Sequence, residues 1–390
     1  MGKTYGVVGS GRQGTAAAYD MAVWGDADAV IIADKDLDAA RRSAERVNAL
    51  AGRSVARAVQ VDVTDEKALV STLTGIDAFL SAVPYYFNLD IAKAAVQARA
   101  SMCDLGGNTE IVKRELALDE QAERAGISIV PDCGQVPGMG TSLCVYAMSL
   151  LDEPEEVFLW DGGLDSNPRP PFNYILTFNI AGLTNEYYGS TTFIRDGKLV
   201  EVPTFEEYEE IDFPPPVGRL EAFTTAGGTS TAPWTFLGKL KTYQNKTVRY
   251  KGHYAQWKAF LDLGLLEEEP IEVQGVKVSP RQVLHTLLEP KILATPEDRD
   301  LVVIRVKCLG EKDGRRAEVQ LDLMDFYDEK THFTAMERTT GWHASIVAIM
   351  MAHGETPKGA KPVEIAVDGP RFAEEMRKRG FDLRESVRYI

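Results

Sequence analysis

The chain has 390 residues, 44% of them hydrophobic and 26% charged, so it suggests two domains, or one with a large insertion, around a sizeable core. A formal net charge of -15 argues against nucleic acid and anionic membrane surfaces as partners. Cys103, Cys133, Cys144 and Cys308 form no C-x-x-C pair and no cluster with histidine, which leaves no basis for a disulfide framework or a metal site.

The chain enters a strand at once. Residues 5–8 are a short apolar run of the kind buried in a parallel sheet, and Gly9-Ser10-Gly11-Arg12-Gln13-Gly14 follows as G-x-G-x-x-G. Gly9 permits a tight turn, Gly11 lets backbone approach a pyrophosphate, and Gly14 lets the following helix pack on the strand. The anion then sits on the helix N-terminus, where free N–H groups and the dipole favour it. The next strand, 30–33, ends at Asp34, about 20 residues beyond Gly14, where an acid takes the adenosine ribose 2′-hydroxyl. A carboxylate there favours NAD and repels the 2′-phosphate of NADP. Lys35, Arg12 and Arg41 are near enough in sequence to offset part of that repulsion, so NADP stays the less favoured alternative.

The βα alternation then continues: a helix from Asp36 to about 50, a strand over 58–61 ending at Asp62-Val63, a helix over 65–73 and a strand over 78–84. Further on come a helix over 89–98, a strand over 101–105, a helix over 109–125 and a strand over 127–130. Six strands suffice for both halves of a Rossmann-type doubly wound parallel sheet. Ligands bind outside the carboxyl ends of such strands, which places Ala82, Val83, Pro84 and Asn88, with Gly106, Gly107 and Asn108, beside the cofactor.

After Pro131 the texture changes. The turn-rich 131–138 leads into an apolar helix over 139–151, and strands then dominate: 157–160, 174–180, 199–202, 220–225 and 247–250. Hairpins are expected about Gln274-Gly275, and from 302–309 to 317–326. Helices over 340–353 and 370–379 close the chain. This reads as a dinucleotide-binding domain over 1–133, an inserted α+β substrate and dimerisation domain over 134–336, and C-terminal helices over 337–390 returning to the first. Open sheets of this kind pair across two-fold axes, so a homodimer is expected. With no signal peptide, and no apolar run of about 18 residues, the expected location is the cytoplasm, free of membrane.

Several segments resemble one family. They are VPYYFN (83–88), DLGGN (104–108), PDCG with PGM (131–139), residues 162–174, LEAFTTAGGTST (220–231), TVRYKGH (247–253) and EMRKRG (375–380). In this order they resemble the saccharopine dehydrogenase superfamily, and more closely its lysine 6-dehydrogenase branch. The resemblance implies an NAD-dependent oxidation of the L-lysine ε-amine to 2-aminoadipate 6-semialdehyde, which cyclises, and ammonia. The alternatives are a saccharopine or carboxynorspermidine type reductase acting on a secondary amine, or a dinucleotide sensor without turnover.

Such chemistry needs a proton acceptor, because an alkylammonium cannot lose hydride, and an anchor for the amino-acid carboxylate. Asp104 and Asp132 lie at strand carboxyl ends, where either can serve as acid or acceptor, or simply bond loop backbone. His253 has the ordinary titration range of a neutral-pH base, or a local role at a helix N-terminus. Arg249 suits a bidentate grip on a carboxylate, or a structural ion pair, with Arg338 a second choice. Glu221 is a candidate substrate contact or a solvated strand position, and Tyr85 and Cys133 line the cleft in this reading.

Overall fold

In the computed structural model, which describes residues 2–390, the glycine motif stands at the head of a seven-stranded parallel sheet. Its first six strands are β1 (Lys3–Val8), β2 (Ala27–Asp34), β3 (Ala56–Gln60), β4 (Ala78–Ser81), β5 (Ser101–Asp104) and β6 (Ser128–Val130). They run side by side in the order β6, β5, β4, β1, β2, β3, and Gly359–Ala360 adds a short seventh strand beside β6. The order reverses between β1 and β4, the switch point at which doubly wound sheets bind ligands. Val8, Ile31, Phe79, Met102 and Ile129 are buried in one core with Ile91 and Leu73 of the covering helices. Strands covered on both faces need such unbroken apolar runs.

The helices are capped as their sequences suggest. Asp36 accepts from the N–H groups of Asp38 and Ala39 to start Leu37–Ala51, and Asp65 accepts from Ala68 to start Glu66–Leu73. The single helix expected over 109–125 is two, Thr109–Leu116 and Asp119–Ala125. The chain bends between them, which lets Leu118 drop into the core.

The chain divides into two compact units, and the first runs to Ser149 and resumes over Asp328–Phe381. The helix Met139–Ser149 therefore belongs with the sheet rather than with the insertion. A Cβ on Gly369 would lie 2.5 Å from the backbone nitrogen of Tyr146, so only glycine lets the helix Gly369–Lys378 approach it this closely. The returning tail is held by ions as well as by packing. Arg379 and Asp20 pair at 2.7 Å with both side chains fully buried, and Ser345 donates to the same Asp20.

The second unit covers Leu150–Tyr327 and Asp382–Ile390. Its strands are β7 (Glu153–Asp165), β8 (Ser190–Arg195), β9 (Lys198–Pro203), β10 (Glu209–Phe213), β11 (Gly218–Phe223) and β12 (Thr242–Arg249), then the β13 (Ile271–Val273) and β14 (Val276–Val278) hairpin, and the long pair β15 (Asp300–Lys312) and β16 (Arg315–Phe326). The main sheet runs β10, β11, β12, β7, β15, β16 and finally Leu383–Tyr389, while β8 pairs with β12 and β9. Only β12 and β7 run parallel, so the sheet is mostly antiparallel, as the strand-rich sequence suggests. The last residues thus form a strand of this sheet, whereas the sequence led us to expect helices to the end.

Two sequence readings differ from the structure here. No strand forms over 174–180: Tyr174 and Leu176 pack as irregular chain into an aromatic core, and Asn179 caps a helix, Ile180–Glu186. The helix Pro280–Ile292 was not expected, and one starting at His253 was read only as an alternative role for that histidine; together they bury Trp257, Leu284, Leu288 and Ile292 in the same core.

Candidate active site

The glycine loop is built as its spacing suggests. Gly9 has φ +102°, and a Cβ there would lie 2.6 Å from the Ala82 carbonyl oxygen, so β1 and β4 leave the sheet in contact. A Cβ on Gly14 would sit 2.0 Å from the Gly9 carbonyl oxygen, while one on Gly11 would meet nothing within 4 Å. Gly11 therefore borders open space in front of the helix Arg12–Trp24, whose N-terminus carries no side-chain cap and no acid in its first turn. Free N–H groups beside open space fit a dinucleotide pyrophosphate.

Asp34 stands at the end of β2. Its Oδ2 accepts from the Ser10 N–H at 2.8 Å and the Ser10 hydroxyl at 2.7 Å, and its Oδ1 from the Asp36 N–H. Burial works to raise its pKa, but these hydrogen bonds outweigh it and hold the carboxyl below its ordinary range. Arg12 pairs with Glu337 at 2.9 Å, which turns its guanidinium toward the tail segment. Lys35 and Asp62 are exposed, Val63 and Gln13 half-buried, and Asp62 is tied to Thr64. Near β4, Ala82 and Val83 are half-buried and Pro84 exposed, and buried Asn88 accepts from Ser81. The Asn108 side chain caps Thr109–Leu116.

Asp104 and Asp132 meet beyond the ends of β5 and β6. Asp104 is fully buried, and its Oδ1 accepts from Gly106 at 2.6 Å and from the Asp132 N–H at 3.3 Å. Asp132 takes φ +63°, and a Cβ on Gly106 would lie 2.2 Å from its carboxylate oxygen, so Gly106 is there to admit it. Tyr85 packs its ring against Gly107, where a Cβ would be 3.1 Å away. Cys133 is fully buried, with its thiol pushed well up by burial, so it stays neutral. Behind these stands Glu115, which is also fully buried.

In the second unit, buried Arg249 donates from Nε to the Tyr187 hydroxyl at 2.9 Å and from Nη1 to the Val248 carbonyl at 3.0 Å, and it lies over the Tyr174 ring. Tyr187 and His253 Nε2 are 2.9 Å apart. His253 is held well below its ordinary pKa by burial first and the Arg249 charge second, so its ring is neutral. Its Nδ1 finds no partner at full hydrogen-bond geometry, and the Phe172 backbone offsets only part of that depression. Asp161, bonded by Asn245 at 2.7 Å, is raised by burial to about 6, and Glu186 by burial to about 7 against the opposing charge of Arg249. The sequence reading missed Tyr174, Glu186, Tyr187 and Asp161, because nothing in local spacing brings three distant segments around one arginine.

Two other candidates have structural partners. Glu221 is neither solvated nor free: it is buried and accepts from the Gly252 and Tyr254 N–H groups, capping His253–Asp262. Arg338 pairs with Asp328 at 3.4 Å and lies over the rings of Trp342 and Phe381. Among the described residues no helix is long and apolar enough to cross a membrane.

Comparison with known proteins gives two family-model matches. The saccharopine dehydrogenase NADP binding domain matches residues 6–130, and the saccharopine dehydrogenase C-terminal domain matches residues 134–381. Saccharopine dehydrogenase (NADP(+), L-glutamate-forming) of Saccharomyces cerevisiae is 24% identical over 300 residues, which cover 73% of this chain and 65% of that enzyme. Carboxynorspermidine synthase of Vibrio cholerae is 24% identical over 316 residues, 76% of this chain and 74% of its own. Among solved structures, the apo saccharopine dehydrogenase (L-Glu forming) from S. cerevisiae has a TM-score of 0.78 at 19% identity, covering 99% of this chain and 100% of that one. Homospermidine synthase from Legionella pneumophila in complex with NAD has 0.65 at 12%, covering 100% and 91%. At these identities the structural likeness is one of fold.

Proposed function

The chain belongs to the saccharopine dehydrogenase family of NAD(P)-binding oxidoreductases, and we propose on that premise that it oxidises the CH–NH2 group of an amino acid with NAD, most concretely the ε-amine of L-lysine. The products are 2-aminoadipate 6-semialdehyde, which cyclises, and ammonia. When bound, the dinucleotide supplies a hydride acceptor. The observation that carries the amine reading is Asp104: a buried carboxyl at the ligand end of β5, raised above its ordinary pKa by burial and so suited to take a proton. An alkylammonium of pKa near 10.4 must lose a proton before it can be oxidised, and Asp104 is our candidate acceptor, with Asp132 beside it.

The remaining assignments are proposals of the same kind. Gly9, Ser10, Gly11 and Gly14 hold the pyrophosphate, and Asp34 the ribose. Tyr85, packed on Gly107, is a wall for the substrate. In the second unit Arg249 is our candidate for the substrate carboxylate. A cytoplasmic homodimer is the expected working form.

The second reading, a reductase joining or splitting a secondary amine, is favoured by the names of the relatives from S. cerevisiae and V. cholerae. One panel separates the two: lysine with NAD, saccharopine with NAD, and a semialdehyde plus an amino acid with NADH or NADPH. Reduction of NAD by lysine alone supports the deaminating reading. Turnover confined to the secondary-amine arms replaces it, and no turnover in any arm overturns both.

A further inference from the structure

Asp104 and Glu115 are both fully buried carboxyl groups, and each acts on the protonation of the other. Yet Asp104 Oδ2 and both oxygens of Glu115 lack any N–H or O–H partner. Two interacting carboxylates buried together would repel and leave these three oxygens unsatisfied, so one of the pair is an acid. The backbone decides which. Asp104 Oδ1 receives the N–H groups of Gly106 and Asp132, which favour its charged form, whereas no N–H reaches Glu115.

We propose that Glu115 is a positioning residue for Asp104: it stays protonated, donates to Asp104 Oδ2, and holds the Asp104 carboxylate in one orientation. This rests on the reading of Asp104 as proton acceptor. The charges shown acting on Glu115 are carboxyls, and on its own helix Lys113 pairs with Glu110 at the surface. Glu115 feels Asp104 and Asp132, both of which raise it further, and the Cys133 thiol beside them is neutral. On the neighbouring helix Asn88–Ala98, Asp90 and Lys93 pair with each other at the surface.

The test compares Glu115→Gln and Glu115→Leu in the full-length protein, reading kcat/KM against pH and the infrared band of a protonated carboxyl. Glutamine still donates to Asp104, so E115Q should retain kcat within about threefold and leave the acid limb of the profile in place. E115L removes a donor that favours the charged Asp104, so its acid limb should move to higher pH with a loss in kcat of tenfold or more. An ionised Glu115 gives the opposite sign: either variant then removes a negative charge, and the limb moves to lower pH. That outcome overturns the proposal, as does absence of a protonated-carboxyl band near neutral pH that E115Q abolishes. The band does not depend on turnover. If it is present but Asp104→Asn leaves the rate unchanged, Asp104 is not the acceptor, while the proton on Glu115 stands. Should E115L not fold, E115Q and the band still decide.

Discussion

Ser10 gives both its backbone N–H and its hydroxyl to one oxygen of Asp34, at 2.8 and 2.7 Å. That carboxylate is therefore anionic and fixed at the end of β2, with Asp36 holding its other oxygen. A fixed negative charge accepts a ribose diol and repels a phosphate, so NAD should bind more tightly than NADP, although the matching family model is named for NADP. Asp34→Ala should narrow the preference by about tenfold, or ~1.4 kcal/mol, and Ser10→Ala by less, in calorimetry. Tighter binding of NADP by the unaltered protein refutes this.

Two glycines of the same loop should fail in different ways. At Gly14 an added methyl meets the Gly9 carbonyl oxygen at 2.0 Å, which is backbone and cannot swing aside. Gly14→Ala should destabilise the protein by about 1–3 kcal/mol and lose the dinucleotide as well. At Gly11 the methyl enters open space and φ is -66°, so Gly11→Ala should keep the melting temperature while weakening dinucleotide binding. A Gly11→Ala protein that binds NAD normally would remove the loop from the cofactor site.

The first sheet was legible because its signals are local. Apolar runs, the glycine spacing and the Asp36 and Asp65 caps each act within a few residues, and together they set the strand order around β1. The second unit was less legible because its interactions are long-range. Glu221 reads as a polar position on a strand, but it caps a helix that begins at His253. The helix itself is rich in aromatic residues, which have modest helix propensity, and it forms because Trp257 is buried among Tyr187, Phe205 and Phe223. Glu115 is likewise invisible in sequence, one acid in a charged helical stretch, and becomes distinctive only where its turn meets β5.

Acidification acts on stability through opposing groups: Asp161 at about 6 and Glu186 at about 7, both raised by burial, gain stability as pH falls through those values, while the buried histidines lose it. His253 lies well below its ordinary pKa and His343 at about 4, burial being the leading cause for each. Below about 6.5 the unfolded chain takes up protons that the native histidines refuse, so the histidine contribution drops as pH falls from about 6.5 to 4. Glu375 acts at lower pH. Burial raises it, but hydrogen bonds from Lys378 and Arg379 and the charges of Arg379 and Arg371 outweigh burial and leave it at about 2. Its contribution is present above the unfolded value near 4.3 and is lost as pH falls toward 2. In urea midpoints across pH, His343→Asn should lose stability less steeply than the unaltered protein between about 6.5 and 4, and Glu375→Gln less steeply between about 4.3 and 2.

The Tyr187 hydroxyl lies between Arg249 and His253. Because the Tyr187 oxygen accepts from Arg249 Nε, its own hydrogen is left for His253 Nε2, so the imidazole hydrogen sits on Nδ1. A neutral ring whose basic nitrogen already accepts from Tyr187 is poorly placed to take a proton from substrate. His253→Asn should therefore cost stability, about 1–3 kcal/mol, more than turnover, and Tyr187→Phe should resemble it, since each leaves a buried partner unsatisfied. Arg249→Lys makes a different demand. Lysine cannot bond both the Tyr187 hydroxyl and the Val248 carbonyl and still present a planar fork to a carboxylate. If Arg249 holds the substrate, its KM should rise about tenfold or more while kcat changes little. An unchanged KM with a lowered melting temperature would make Arg249 the structural centre of its aromatic cluster, and the carboxylate anchor would have to be sought elsewhere. A large loss of kcat in His253→Asn at unaltered stability would instead return the histidine to the chemistry.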